Sequence, residues 1–167
     1  MRTKSLLIVE SPTKVKTIKQ YLSNNYEILS CVGHVKDLPK NNLGIDIEDD
    51  FKIELSVLPE KKKFISELRK KAKASRNVYI ATDPDREGEA IAWHVREILE
   101  SKKLLKGKKV ERVVFNEITK KAVTNGINNP REIESLLVNA YMARRALDYL
   151  VGFNISPILH VKFPPML

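Results

Sequence analysis

Apolar and polar positions change period several times along the chain, and each change predicts an element. Residues 5–9 form a continuous apolar run, the pattern of a strand buried on both faces. Glu10 ends it. Ser11 and Pro12 then supply an N-cap and a first helical residue, and Val15, Ile18 and Leu22 follow at helical spacing. Residues 26–32 read as a second strand, stopped by Gly33 and His34. Residues 36–50 read as a polar loop with Pro39 and Gly44. Phe51, Ile53 and Leu55 alternate with polar residues, the period of a half-buried strand.

A Lys-rich helix is predicted over residues 60–75, with Phe64, Leu68 and Ala72 on one face. A strand at 77–81, an acidic turn at 82–88 and a helix at 89–99 follow. A basic connector then leads to a strand at 110–115, and all beyond Asn116 reads as helix or loop. Strands alternating with helices predict an α/β fold: a mainly parallel, Rossmann-like sheet flanked by helices. The end of the strands places a domain boundary near 116, dividing the chain into 1–116 and a partial α-helical domain at 117–167.

Composition narrows the partners. The chain has 30 Lys and Arg against 21 Asp and Glu, a net charge of +9, which favours polyanions. Apolar runs fall far short of the ~18 residues of a membrane span, and the N-terminus shows no signal-peptide pattern. Cys31 stands alone, excluding a disulfide framework or an all-cysteine zinc site and suiting a reducing cytoplasm.

The densest chemical signal is Asp83-Pro84-Asp85-Arg86-Glu87-Gly88-Glu89, set between a strand and a helix. Ligands of open α/β sheets bind at the carboxyl ends of strands. If the turn stays extended, Asp83, Asp85 and Glu87 converge, and hard oxygen ligands of this kind suit Mg²⁺. The alternative is a plain acidic turn: Asp85 as N-cap, with Glu87 and Glu89 favoured by the helix dipole. Glu10 ends another apolar strand. Should the two strands be neighbours, its carboxyl faces the cluster and has its pKa raised, which suits a general acid. Lys14, near a helix N-terminus, is placed either to hold a phosphate or simply to be solvated.

In the tail, Leu137, Ala140, Leu147 and Val151 form a stripe at helical spacing. Arg144 falls on it, with Asp148 four residues on to pair with it. Arg145 and Tyr149 share an adjacent face. A guanidinium held by a carboxylate is pre-aimed for phosphate; a buried structural ion pair fits the residues equally well.

The segments LLIVESPTKVKTIKQYL, SCVGHVKDLP, YIATDPDREGEAIAWHV, RVVFNEIT and NAYMARRALDYLVGFNISPIL resemble consecutive blocks of type IA DNA topoisomerases, those of bacteria in particular. Glu10 and the acidic turn resemble the Toprim signature, which also occurs in primases and some nucleases. The resemblance spans residues 5 to about 159. It implies a Toprim fold and Mg²⁺-dependent relaxation of negatively supercoiled DNA, in which a tyrosine attacks one strand and forms a 5′-phosphotyrosyl link.

By the same resemblance, Glu10 assists the leaving 3′ oxygen, Lys14 lies close to the scissile phosphate, and Asp83, Asp85 and Glu87 accompany the metal. His34 contacts DNA. Arg144, Arg145, Asp148, Tyr149 and, past an expected helix end at Gly152, Asn154 belong to a helical domain gripping single-stranded DNA. The implied setting is the cytoplasm, at the nucleoid. The resemblance stops after Leu159. Tyr21, Tyr26, Tyr79, Tyr141 and Tyr149 do not match the catalytic position, so the chain alone is expected to be inactive. A stand-alone Toprim phosphoesterase using a metal-bound water and a non-catalytic DNA-binding fragment remain the alternative expectations.

Overall fold

The computed structural model describes residues 3–39, 44–101, 105 and 107–162; for 153, 154 and 156–162 it describes the helical backbone only. Strands β1 (Ser5–Val9), β2 (Tyr26–Ser30), β7 (Val78–Ala81) and β8 (Val110–Arg112) form a parallel sheet in the order β2-β1-β7-β8. The central β1 explains its own composition. Leu6 and Ile8 face one layer, Leu7 and Val9 the other, and all four are fully buried. A strand covered on both sides has no polar face to alternate with.

Helices α2 (Lys62–Ala74) and α3 (Arg86–Glu100) cover the first face through Ile65, Leu68, Ile91 and Val95. Helices α1 (Pro12–Tyr21) and α4 (Lys120–Asn128) cover the second through Ile18, Val123 and Ile127. Helix α4 lies beyond residue 116 yet packs on the sheet. Helix α5 (Ser135–Lys162) lies against α3 and against a small insertion after β2. That insertion holds two short antiparallel pairs, β3 (Lys36–Asp37) with β6 (Ser56–Val57), and β4 (Ile45–Asp46) with β5 (Lys52–Ile53).

Three expectations need correction. No single strand runs through residues 51–55: Asp50 and Phe51 turn with positive φ, and Phe51 is exposed. Gly152 does not end a helix, because α5 continues to Lys162. The Leu137–Val151 stripe is not the packed face of α5. Leu147 and Val151 are exposed, whereas Val138 and Ala146 are buried, with Tyr149 and Leu150 beside Ala146. Arg144 therefore stands on the open face.

Candidate functional site

Parallel pairing of β1 with β7 sets Val9 beside Ala81, so Glu10 and the 82–88 turn leave the sheet side by side at its carboxyl edge. Two helices begin there. Ser11 caps α1 by accepting from the Lys14 amide at 3.4 Å, and Asp85 caps α3 by accepting from the Gly88 amide at 2.7 Å. The Lys14 ammonium reaches back to the Asp83 carboxylate. Partial burial and then the Asp83 carboxylate raise the Glu10 carboxyl, Asp85 adding to this; Lys14 and the Asp83 amide hold it down. One cation, two aspartates and a carboxyl raised above its ordinary value thus meet at one strand edge.

Asp83, Asp85 and Glu87 do not converge as the extended turn required. Helix α3 starts at Arg86, so residues 85 and 87 diverge around a helix instead of lining one side. Asp83 faces Lys14, Asp85 caps the helix, and Glu87 Oε1 lies 2.9 Å from His34 Nε2. Among the described residues, no group of three or more His, Cys, Asp or Glu side chains is arranged to hold a metal ion. The donor chemistry nevertheless fits a hard cation. Glu10, Asp83 and Asp85 offer only oxygen, and the raised Glu10 carboxyl reflects in part a carboxylate crowding that a divalent ion relieves.

His34 sits in a strained turn, where Val32 and Gly33 both have positive φ, at 54° and 83°. A Cβ on Gly33 would meet nothing, so glycine is required there for its backbone alone. The Lys61 ammonium fastens the turn by donating to the carbonyls of Cys31 (3.1 Å) and Val32 (2.5 Å). The His34 ring stacks on Tyr141 at 5.0 Å, with Nε2 3.2 Å from the phenol oxygen. Burial pushes the Tyr141 phenol up, and pushes the Cys31 thiol up to about 11, which leaves both poor nucleophiles.

On α5, Arg145 makes a two-pronged pair with Asp37 of β3, at 2.8 and 2.7 Å, and Tyr149 donates to the Pro39 carbonyl at 2.6 Å. The Arg144–Asp148 pair is looser, 3.8 Å, with both side chains about 60% exposed (61% and 60%). It is neither the buried structural pair nor a tightly held guanidinium. The Asn154 side chain lies outside the described residues. Arg86, Glu87, Tyr141, Arg144, Arg145 and Asp148 line a cleft of about 290 Å³. On the other side of the acidic turn a cleft of about 430 Å³ is lined by Lys14, Asp83, Asp85 and residues 115–118.

Sequence reasoning missed what holds the turn. Glu89 and Arg112 are fully buried and paired at 2.9 Å. Arg112 also donates to the carbonyls of Ile80, Thr82, Val113 and Asp83 at 2.7–3.1 Å, threading the backbone that leads into the turn. Glu89 further accepts from Arg131 at 2.5 Å and from the Glu134 amide at 3.0 Å, just before α5. Burial raises the Glu89 carboxyl, but that amide and the two guanidiniums outweigh burial and bring it below its ordinary value. Gly88 is needed for closeness: a Cβ there would stand 2.1 Å from the Asp83 carbonyl oxygen.

The Toprim domain model matches residues 5–118. The DNA topoisomerase 1 of Xylella fastidiosa is 50% identical over 159 residues, covering 95% of this chain and 20% of that protein. The DNA topoisomerase 1 of Rickettsia bellii is 46% identical over 160 residues, with the same coverage. Full-length topoisomerase I from Thermotoga maritima superposes with a TM-score of 0.83 at 44% identity, over 93% of this chain and 26% of that one. The chain thus spans about a fifth of the length of the curated relatives it matches.

Proposed function

The chain belongs to the Toprim family, and from that premise we propose that it forms the Toprim part of a type IA DNA topoisomerase, supplying the acid side of a strand-breaking and rejoining centre. The observation carrying this reading is the meeting of Glu10, Lys14 and Asp83 at the shared edge of β1 and β7. Glu10, whose carboxyl is raised by burial and by the Asp83 carboxylate, delivers a proton to the leaving 3′ oxygen. Lys14 and the N-terminal amides of α1 hold the scissile phosphate. Glu10, Asp83 and Asp85 would hold Mg²⁺, which when bound supplies charge stabilisation at that phosphate. Glu87 acts through His34, orienting it toward the strand. Arg144, Arg145, Asp148 and Tyr149 border the path of a single DNA strand along α5, with Asn154 further on. No membrane-spanning helix occurs among the described residues.

The nucleophilic tyrosine comes from outside these residues. Tyr141, the tyrosine stacked on His34, has a phenol raised by burial, the wrong direction for attack. Incubating the 167-residue chain with negatively supercoiled plasmid and Mg²⁺ should leave the topoisomers unchanged and yield no covalent adduct. Mg²⁺ should raise the melting temperature, because a ligand of the native state stabilises it, and Asp83→Ala with Asp85→Ala should abolish that shift. Relaxation or an adduct from the chain alone overturns the reading. Nicking without an adduct replaces it with a phosphoesterase that activates water.

A further inference from the structure

The sheet has a second charged edge, opposite the acidic turn. Three neighbouring strands start from cations: Lys4 precedes β1, Arg76 lies two residues before β7, and Lys109 precedes β8. The backbone stitches these residues together. The Arg76 amide donates to the Lys4 carbonyl at 2.9 Å, and the Val78 amide to the Lys109 carbonyl at 2.9 Å. Lys108 is tied to the same place, its ammonium donating to the Ala72 and Lys73 carbonyls at the end of α2 (2.7 and 2.6 Å). Lys4, Lys73, Arg76 and Lys109 are all exposed.

Among the described residues, no carboxylate forms an ion pair with Lys4, Lys73, Arg76 or Lys109. Glu27 of β2 is taken up by Lys71, and Glu100 at the end of α3 by Arg96. Lys108 is lowered by burial with no acid offsetting it. Beside Lys4 runs a groove of about 580 Å³ with Lys19, Asn24, Lys71 and the Lys71-paired Glu27 on its walls. Strands lie about 4.8 Å apart, so the three strand starts span roughly 10 Å. Like charges gathered this closely repel unless an anion lies across them.

We infer that this edge, formed by Lys4, Lys73, Arg76 and Lys109, is a second nucleic-acid surface that holds the phosphate backbone of duplex DNA, separate from the carboxyl-edge site. Duplex fits better than single strand. Sequence-tolerant single-strand surfaces stack bases on exposed aromatic rings, and the aromatic residues nearest these strand starts, Tyr26 and Tyr79, are half-buried and packed in the core. The inference does not require the carboxyl-edge reading, since the two surfaces lie at opposite ends of the strands.

The test is fluorescence anisotropy of a short blunt duplex across a salt series, with the 167-residue chain and two triple variants. Lys4→Gln, Arg76→Gln and Lys109→Gln remove the edge. Lys62→Gln, Lys63→Gln and Lys70→Gln remove the same charge from exposed positions on α2. Each lost phosphate contact lowers the slope of log K against log salt by about 0.9. The edge variant should therefore lose roughly two to three units of slope and bind duplex at least tenfold more weakly, while the α2 variant stays near the parent. Arg76→Gln alone, at an exposed position, should lose nearly one unit and serves if the triple variant melts early. Equal losses in both triple variants, or none in either, overturn the inference. So does an edge variant that loses binding to phosphatidylserine vesicles but keeps duplex affinity, which would mark a membrane surface.

Discussion

Replacing Glu89 with glutamine tests whether the buried ion pair shapes the acidic turn. The carboxylate receives Arg112 Nε, two Arg131 nitrogens and the Glu134 amide. Glutamine keeps one acceptor oxygen and turns an NH₂ donor toward guanidinium donors. Breaking one side of a buried pair costs about 3–5 kcal/mol. Arg112 retains four carbonyl acceptors, so the loss should fall near 3 kcal/mol. For a chain of this length that is roughly 6–12 °C in melting temperature.

Urea unfolding at pH 7 measures the loss. The pH dependence carries a sign. Glu89 has a folded pKa below its unfolded value, so its contribution is full above the unfolded pKa and disappears as pH falls through the folded one. Parent and Glu89→Gln stabilities should converge in acid. A loss under about 1 kcal/mol refutes the reasoning.

Gly88→Ala should cost at least 1–3 kcal/mol through the clash with the Asp83 carbonyl, whereas Gly152→Ala, open on all sides, should gain about 0.5–1 kcal/mol; thermal melts of both separate closeness from helix propensity. His94 is buried with both ring nitrogens unpartnered among the described residues, and burial lowers it to about 4. Its stabilisation is full above about pH 6.5 and is lost from there down to pH 4, roughly 3 kcal/mol in all. His94→Leu should flatten that part of the stability–pH curve, and an unchanged slope would place the titration elsewhere. Asp37→Asn should loosen α5 from the insertion by about 1 kcal/mol, since the Arg145 pair is partly solvent-screened; faster amide exchange at residues 141–149 is the readout.

The elements whose sequence had one available burial pattern were legible. Leu6 to Val9 are apolar throughout because both faces of β1 are covered, and Ser11-Pro12 announces α1 through a cap that the fold uses. The placement of Glu10 beside the acidic turn followed once those strands were taken as neighbours. The packed face of α5 was not legible, because apolar residues occur on both of its sides and periodicity cannot choose between them. The sequence offers Glu89 only as a first-turn acid favoured by the helix dipole, and nothing local marks Arg112. The partners of Glu89 lie 23 to 45 residues away in sequence, a separation that no local pattern encodes. Of the two readings open for the acidic turn, the helix cap holds: Asp85 caps α3, and that cap sends Glu87 to His34.

The order β2-β1-β7-β8 also has a consequence for how the chain is made. β1 needs two partners. β2 follows after about 20 residues, but Leu6 pairs with Val78, 72 residues later. At 5–20 residues per second of synthesis, Leu6, Leu7, Ile8 and Val9 wait roughly 4–14 s on the ribosome with one strand edge open and without the cover of α3 and α4. An apolar strand edge exposed for that long is a template for pairing with other chains. A segment that is fully buried in the finished protein is thus an adhesive one during translation. Holding factors that recognise short aliphatic runs should engage the nascent chain before residue 81 emerges and release it afterwards.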